Sequence, residues 1–75
     1  MVEERQAKLE MAQALIGLGD TYLLANNIQA STVNYQMAEP IAEEIQATDE
    51  LSKIYDGLTH NYAALSDFKK AFEYQ

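Results

Sequence analysis

The side chains that could carry chemistry in this 75-residue chain are few and widely spaced. His60 is the only histidine and cysteine is absent, so neither a Cys/His nucleophile pair nor a metal site built on several His or Cys ligands can form. Ser31, Ser52 and Ser66 have no histidine base near them in sequence; they read as a packing residue, a helix-surface residue and a helix cap. Glu43-Glu44 and Asp49-Glu50 have the groups for general acid and base work or for holding a hard cation, but the glycine-centred spacing of a calcium loop is missing. They read as solvated helix surface. Gly17, Gly19 and Gly57 neither follow a strand pattern nor precede Gly-Lys-Ser/Thr, which argues against a phosphate loop. The inventory points away from an enzyme and implies no metal or cofactor.

What must position these residues is set by composition and periodicity. The chain is 48% hydrophobic, enough for one small core spanning residues 1–75 and no second domain. A single core of this size supplies only about 3–5 kcal/mol, and there is no disulfide or metal to add to it. Twelve acidic residues against five Lys and Arg give a net charge of −7, which repels nucleic acid and anionic membrane surfaces. No apolar run approaches the ~18 residues of a membrane span. The opening MVEERQAKLE is charged where a secretory signal is apolar, so the expected location is the cytoplasm.

The segments GLGDTY, from Gly17, and GLTHNY, from Gly57, repeat Gly-Leu-x-x-x-Tyr at an offset of 40. The same offset relates two apolar series at helical spacing: Met11, Leu15, Leu18, Tyr22 and Ala25, and Leu51, Tyr55, Leu58, Tyr62 and Leu65. Each predicts an apolar helix stripe that packs on the helix following it. The first helix is predicted from about Glu3 to Ala25, with Asn26-Asn27 closing it and opening a second from about Gln29 to Ile45. Thr48 with Asp49 and Glu50 signals a third helix. Ser66-Asp67 takes the place of Asn26-Asn27, so a fourth helix is predicted from near Lys69, with Phe68 and Ala71 matching Ile28 and Ser31. Pro40 lies within the second helix, where an interior proline costs about 3 kcal/mol. A kink near Gln36 to Glu39 within one continuous helix is expected, because Met37, Ile41 and Ile45 continue the apolar stripe.

Leu15, Leu18, Gly19 and Tyr22 on the first helix, then Ser31, Tyr35 and Ala38 on the second, resemble the tetratricopeptide repeat family. Tyr55, Leu58, Thr59, Tyr62 and Ala71 form a second, incomplete copy in which Thr59 replaces the glycine. The resemblance implies an all-α fold of antiparallel helical hairpins in a right-handed superhelix, with repeat 1 at about 12–47 and a truncated repeat 2 at about 52–75. The 40-residue period is longer than the family's usual one and is similar to repeats in sensory and adaptor regions of bacterial signalling proteins.

Within that family the first helices of the repeats line a concave groove that binds a peptide or helix of a partner protein. Carried over position by position, the groove would comprise Gln13, Ile16, Asp20, Leu23 and Leu24, with Lys53, Asp56, His60, Ala63 and Ala64. Asp20 and His60 stand where carboxylate-clamping members have Asn, so the resemblance implies an apolar ligand segment with a basic residue instead. The alternative is self-association. An unfinished repeat leaves apolar faces uncovered, which predicts a homodimer through Tyr55, Leu58, Tyr62, Phe68, Phe72 and Tyr74, with helix exchange about Pro40 or the Gln46–Thr48 turn.

Overall fold

The computed structural model describes the backbone of residues 2–73 and the side chains of residues 3–66. Within them the chain forms three α-helices and no strand: α1 Val2–Leu24, α2 Ile28–Glu44 and α3 Thr48–Glu73. Helix α2 packs on both α1 and α3, and α1 also touches α3.

Two turns of the same design set this arrangement. At the first, Asn26 adopts φ 61°, Asn27 N–H donates to the Tyr22 carbonyl (2.8 Å) and Asn26 N–H to the Leu23 carbonyl (3.0 Å). This pair of bonds satisfies carbonyls that a helix end otherwise leaves open. Asn27 Oδ1 then accepts from Ala30 N–H at 3.1 Å, which caps α2. The two asparagines thus divide the work of closing one helix and opening the next, as the sequence predicts. At the second turn Gln46 takes φ 54°, Ala47 N–H reaches the Ala42 carbonyl (2.9 Å) and Gln46 N–H the Glu43 carbonyl (3.1 Å). Arg5 adds a long-range tie, its guanidinium donating to the Ile45 carbonyl at 2.9 Å. That places a cation where α2 ends and its dipole is negative.

The fourth helix does not form. Helix α3 runs through Ser66-Asp67 to Glu73 without a break, so there is one hairpin followed by a single long helix rather than two hairpins. Ser and Asp lose only a few tenths of a kcal/mol in a helix interior, so their presence does not by itself force a break. The result is an elongated molecule: its radius of gyration is 14.1 Å, against about 11 Å for a compact domain of this length. Helix α2 remains one helix through Pro40, which is exposed.

The core lies on a different face of α1 from the one the periodicity selects. The buried residues are Ala12 and Ile16 on α1, Tyr35, Ala38 and Ala42 on α2, Ile45 and Ala47 in and beside the second turn, and Ile54 and Leu58 on α3. Met11, Leu18 and Tyr22 are instead exposed, and Leu15 is half-buried. Small residues at Ala12, Gly19, Ala38 and Ala42 let the helices approach closely, and packing density outweighs side-chain bulk in choosing the face. On α2 the buried line runs through Ser31, Thr32, Tyr35, Ala38 and Ala42, while Met37 is exposed and Ile41 half-buried. Tyr22, Tyr55 and Tyr62 belong to the predicted apolar series yet are exposed; of the described tyrosines only Tyr35 is buried.

Candidate functional site

The centre of the molecule is the Tyr35 ring, wedged between two helices at two glycines. A β-carbon on Gly19 would lie 2.6 Å from Tyr35 Cε1, and one on Gly57 would lie 2.6 Å from Cε2. No real Cβ contact is that short, so only glycine fits at either position. Gly17, which the sequence echo aligns with Gly57, has nothing near its hypothetical β-carbon. The repeated glycine of the echo is therefore structural in its second copy and free in its first, where Gly19 takes over the packing role.

Tyr35 also reaches the surface chemically. Its hydroxyl donates to Asp20 Oδ1. Burial first, and then the bond to the Asp20 carboxylate, push the phenol from 10.0 up to about 12. The consequence for stability has a definite sign. Below pH 10 folded and unfolded states both keep the proton, and the stabilisation is complete. Between pH 10 and 12 only the unfolded state releases it, so stability falls as pH rises, by about 2–3 kcal/mol across the window. Denaturant midpoints measured from pH 9 to 12 should drop more steeply for the wild type than for Tyr35→Phe. Parallel losses in the two proteins would mean that this phenol is not the source.

Ser31 and Asn61 are fully buried and paired, Asn61 Nδ2 donating to Ser31 Oγ at 3.0 Å. Among the described residues Asn61 Oδ1 has no hydrogen-bond partner. The α2–α3 contact therefore carries a polar centre inside an otherwise apolar seam.

Between α1 and α3 lies a cleft of about 270 Å³ lined by Gln13, Ile16, Gly17, Asp20, Glu50 and Lys53. Four of these are residues that the repeat resemblance assigns to a groove: Gln13, Ile16, Asp20 and Lys53. Gln13 Nε2 and Glu50 Oε2 approach to 3.4 Å across it. Ile16 is 6% exposed and belongs to the core, offering the cleft only an edge. Asp20 does two things at once, since the carboxylate on the cleft wall is also the acceptor for the Tyr35 phenol. A charge reversal there disturbs the fold as well as the cleft.

The other proposed groove residues are not brought to this cleft. Leu23 is half-buried, and Leu24, Asp56, His60 and Ala63 are exposed elsewhere on the helices. Ala64 lines a separate hollow with Leu65 and the Asn26–Gln29 turn. Gly17 and Glu50, which the sequence reading omits, do line the cleft. Helical spacing holds the signal for both: Gly17 lies one turn beyond Gln13, and Glu50 three residues before Lys53. Of the residues assigned to self-association, Tyr55 and Tyr62 are exposed and bonded across to α2, Tyr55 to Glu43 (3.1 Å) and Tyr62 to Gln36 (2.7 Å). Leu58 is 6% exposed and packs inward, so it is unavailable to a partner. Phe68, Phe72 and Tyr74 lie outside the described side chains.

Among the described residues no helix is long and apolar enough to cross a membrane. No family model matches the chain, and no curated protein or solved structure matches it.

Proposed function

We propose that this chain is a non-catalytic protein-interaction module of tetratricopeptide-like design, whose α1–α3 cleft receives an extended or helical segment of a partner protein. The observation that carries this reading is the cleft itself: it is built from the first and third helices, at Gln13, Ile16, Asp20 and Lys53, the positions the family uses for ligand contact. The Gly19–Tyr35–Gly57 wedge supports it, because it sets α1 and α3 side by side as successive first helices with α2 behind them. Asp20 and Glu50 against the single cation Lys53 leave the cleft net negative. A ligand with one Lys or Arg beside small apolar residues fits that charge and the shallow Ile16 floor. In this reading the module is a cytoplasmic scaffold or adaptor piece, of the kind found in signalling proteins.

Panning a displayed library of random linear peptides against the immobilised protein tests the proposal. Selected peptides should share a basic residue next to small apolar ones. Their affinity should fall about fivefold or more on Glu50→Lys, the upper range for one exposed ion pair. Glu50→Lys is the better probe than any Asp20 variant, because Glu50 carries no core hydrogen bond. Failure to enrich any consensus, or binding indifferent to both Glu50→Lys and Lys53→Glu, would remove the cleft from consideration.

A further inference from the structure

We propose that two copies of this chain pair through the outer face of the α1–α2 hairpin, with α1 antiparallel to the partner's α1 and Leu15 set against the partner's Leu18. The inference does not rest on what the cleft receives, since the cleft lies on a different side of α1. Met11, Leu15, Leu18 and Tyr22 fall within a ~60° arc of α1 at ~100° per residue. Val33, Met37 and Ile41 form a similar line on α2. Leu15 and Ile41 are half-buried against the core, and the other five are 37–54% exposed. The chain shows what this stripe does when a helix covers it. Forty residues on, Leu51, Tyr55, Leu58 and Tyr62 repeat it on α3, where α2 lies across them: Leu58 is buried, and Tyr55 and Tyr62 bond to Glu43 and Gln36. On α1 the stripe has no such cover among the described residues.

The stripe is self-complementary. A two-fold axis crossing α1 between Ile16 and Gly17 that sets Leu15 on the partner's Leu18 also sets Met11 on the partner's Tyr22, a sulfur–aromatic contact. The same axis brings α2 into register. Lys8 meets Glu44 and Gly19 meets Tyr35 across the hairpin, so Met37 stands level with the axis. It faces its own counterpart, and Val33 faces the partner's Ile41. A specific interface buries about 1,000 Å² or more in total, which ten half-exposed side chains, five from each copy, reach at roughly 100 Å² apiece. Charge does not oppose the contact, although each copy carries −7. Within residues 11–38 the one charged side chain is Asp20, which points to Tyr35 and the cleft. Lys8 and Glu44 mark the end of the face, paired with each other at 2.6 Å. In the two-fold register they meet the partner's Ala25 and Ala30, so no like charges come together. No exchange of helices about Pro40 is needed, because α2 continues through it.

Sedimentation equilibrium should give a dimer for the wild type. Leu18 is exposed within the monomer, so Leu18→Glu should keep the helix content by circular dichroism while raising the dissociation constant at least about tenfold. Because the chain has no cysteine, single-cysteine variants report the contact without background. Met37 lies on the proposed axis, and Ser52 is exposed on α3, away from it. At low micromolar concentration a short bifunctional thiol reagent should join two Met37→Cys copies at least about tenfold faster than two Ser52→Cys copies. A wild-type monomer at hundreds of micromolar, which would leave this face to a helix of another protein, would overturn the proposal. So would a dimer that Leu18→Glu does not weaken, or one in which Ser52→Cys crosslinks as fast as Met37→Cys.

Discussion

Tyr35→Ala is expected to leave the chain mostly unfolded at 25 °C. Among the described residues Tyr35 is the largest fully buried side chain, touching both α1 and α3 from α2, so its removal empties a place where the three helices meet. Truncating a buried aromatic costs about 3–5 kcal/mol, and the entire stability of a domain this small is about 3–5 kcal/mol. The two quantities are equal within their spread, so little folded protein should remain. Far-UV circular dichroism and a urea titration would show it as lost helix signal and no cooperative transition. Tyr35→Phe keeps the wedge and loses only the bond to Asp20, so it should stay folded with a loss of about 1–2 kcal/mol. A Tyr35→Ala protein with native helix content and a sharp melt would mean that the ring fills space without holding the helices together.

The second large effect concerns the glycines on either side of that ring. In most helix interiors Gly→Ala stabilises by about 1 kcal/mol, and Gly17→Ala, with nothing near the new methyl group, should do so here. Gly19→Ala and Gly57→Ala should do the opposite. Each puts a carbon 2.6 Å from an aromatic atom held on its other side by the opposite helix, so the ring cannot move away. Overpacking of this kind costs about 1–3 kcal/mol per site, and the double variant should approach complete loss of the fold. The sharpest form of the test is a change of sign. In a background where position 35 carries Leu, with no ring in the gap, Gly19→Ala should become neutral or stabilising. Urea midpoints for the four combinations of positions 19 and 35 measure this coupling directly. Additive effects would show that the clash is relieved elsewhere.

These two results would also explain what could and could not be read from the sequence. The turns were legible because their information is local. Asn26-Asn27 contains within two residues both the left-handed closure and the side-chain cap, and Thr48 with its acidic neighbours starts α3 where expected. Ser31, Tyr35 and Ala38 on α2 are buried, as the family resemblance implies. The buried face of α1 was not legible, because periodicity weighs bulk. Met11, Leu18 and Tyr22 make the stronger stripe, yet the helices meet along Ala12, Ile16 and Gly19, where little side chain intervenes. Close approach is a property of pairs of helices, and the partner of each small residue lies tens of positions away. The missing fourth helix has a similar origin. Ser66-Asp67 has capping chemistry like the asparagine pair, but a cap ends a helix only when the chain beyond it gains more by turning back than by continuing. For the candidate cleft, four of the six lining residues were visible through family positions alone, and Glu50 needed the face of α3 to be known.

The buried pair of Ser31 and Asn61 bears on how these helices stay in step. The Tyr35 ring seats on α3 only at Gly57, which already favours one axial alignment of α3 on α2. The hydroxyl and the amide meet in that same alignment. Any slip would strand both polar groups away from water, at a cost of about 1–3 kcal/mol for each. Burying an amide oxygen that has no partner among the described residues costs more than burying an apolar group in its place. What the pair gives in exchange is a second hold on that single alignment, and with it the fixed separation of Gln13 and Asp20 from Glu50 and Lys53 across the cleft.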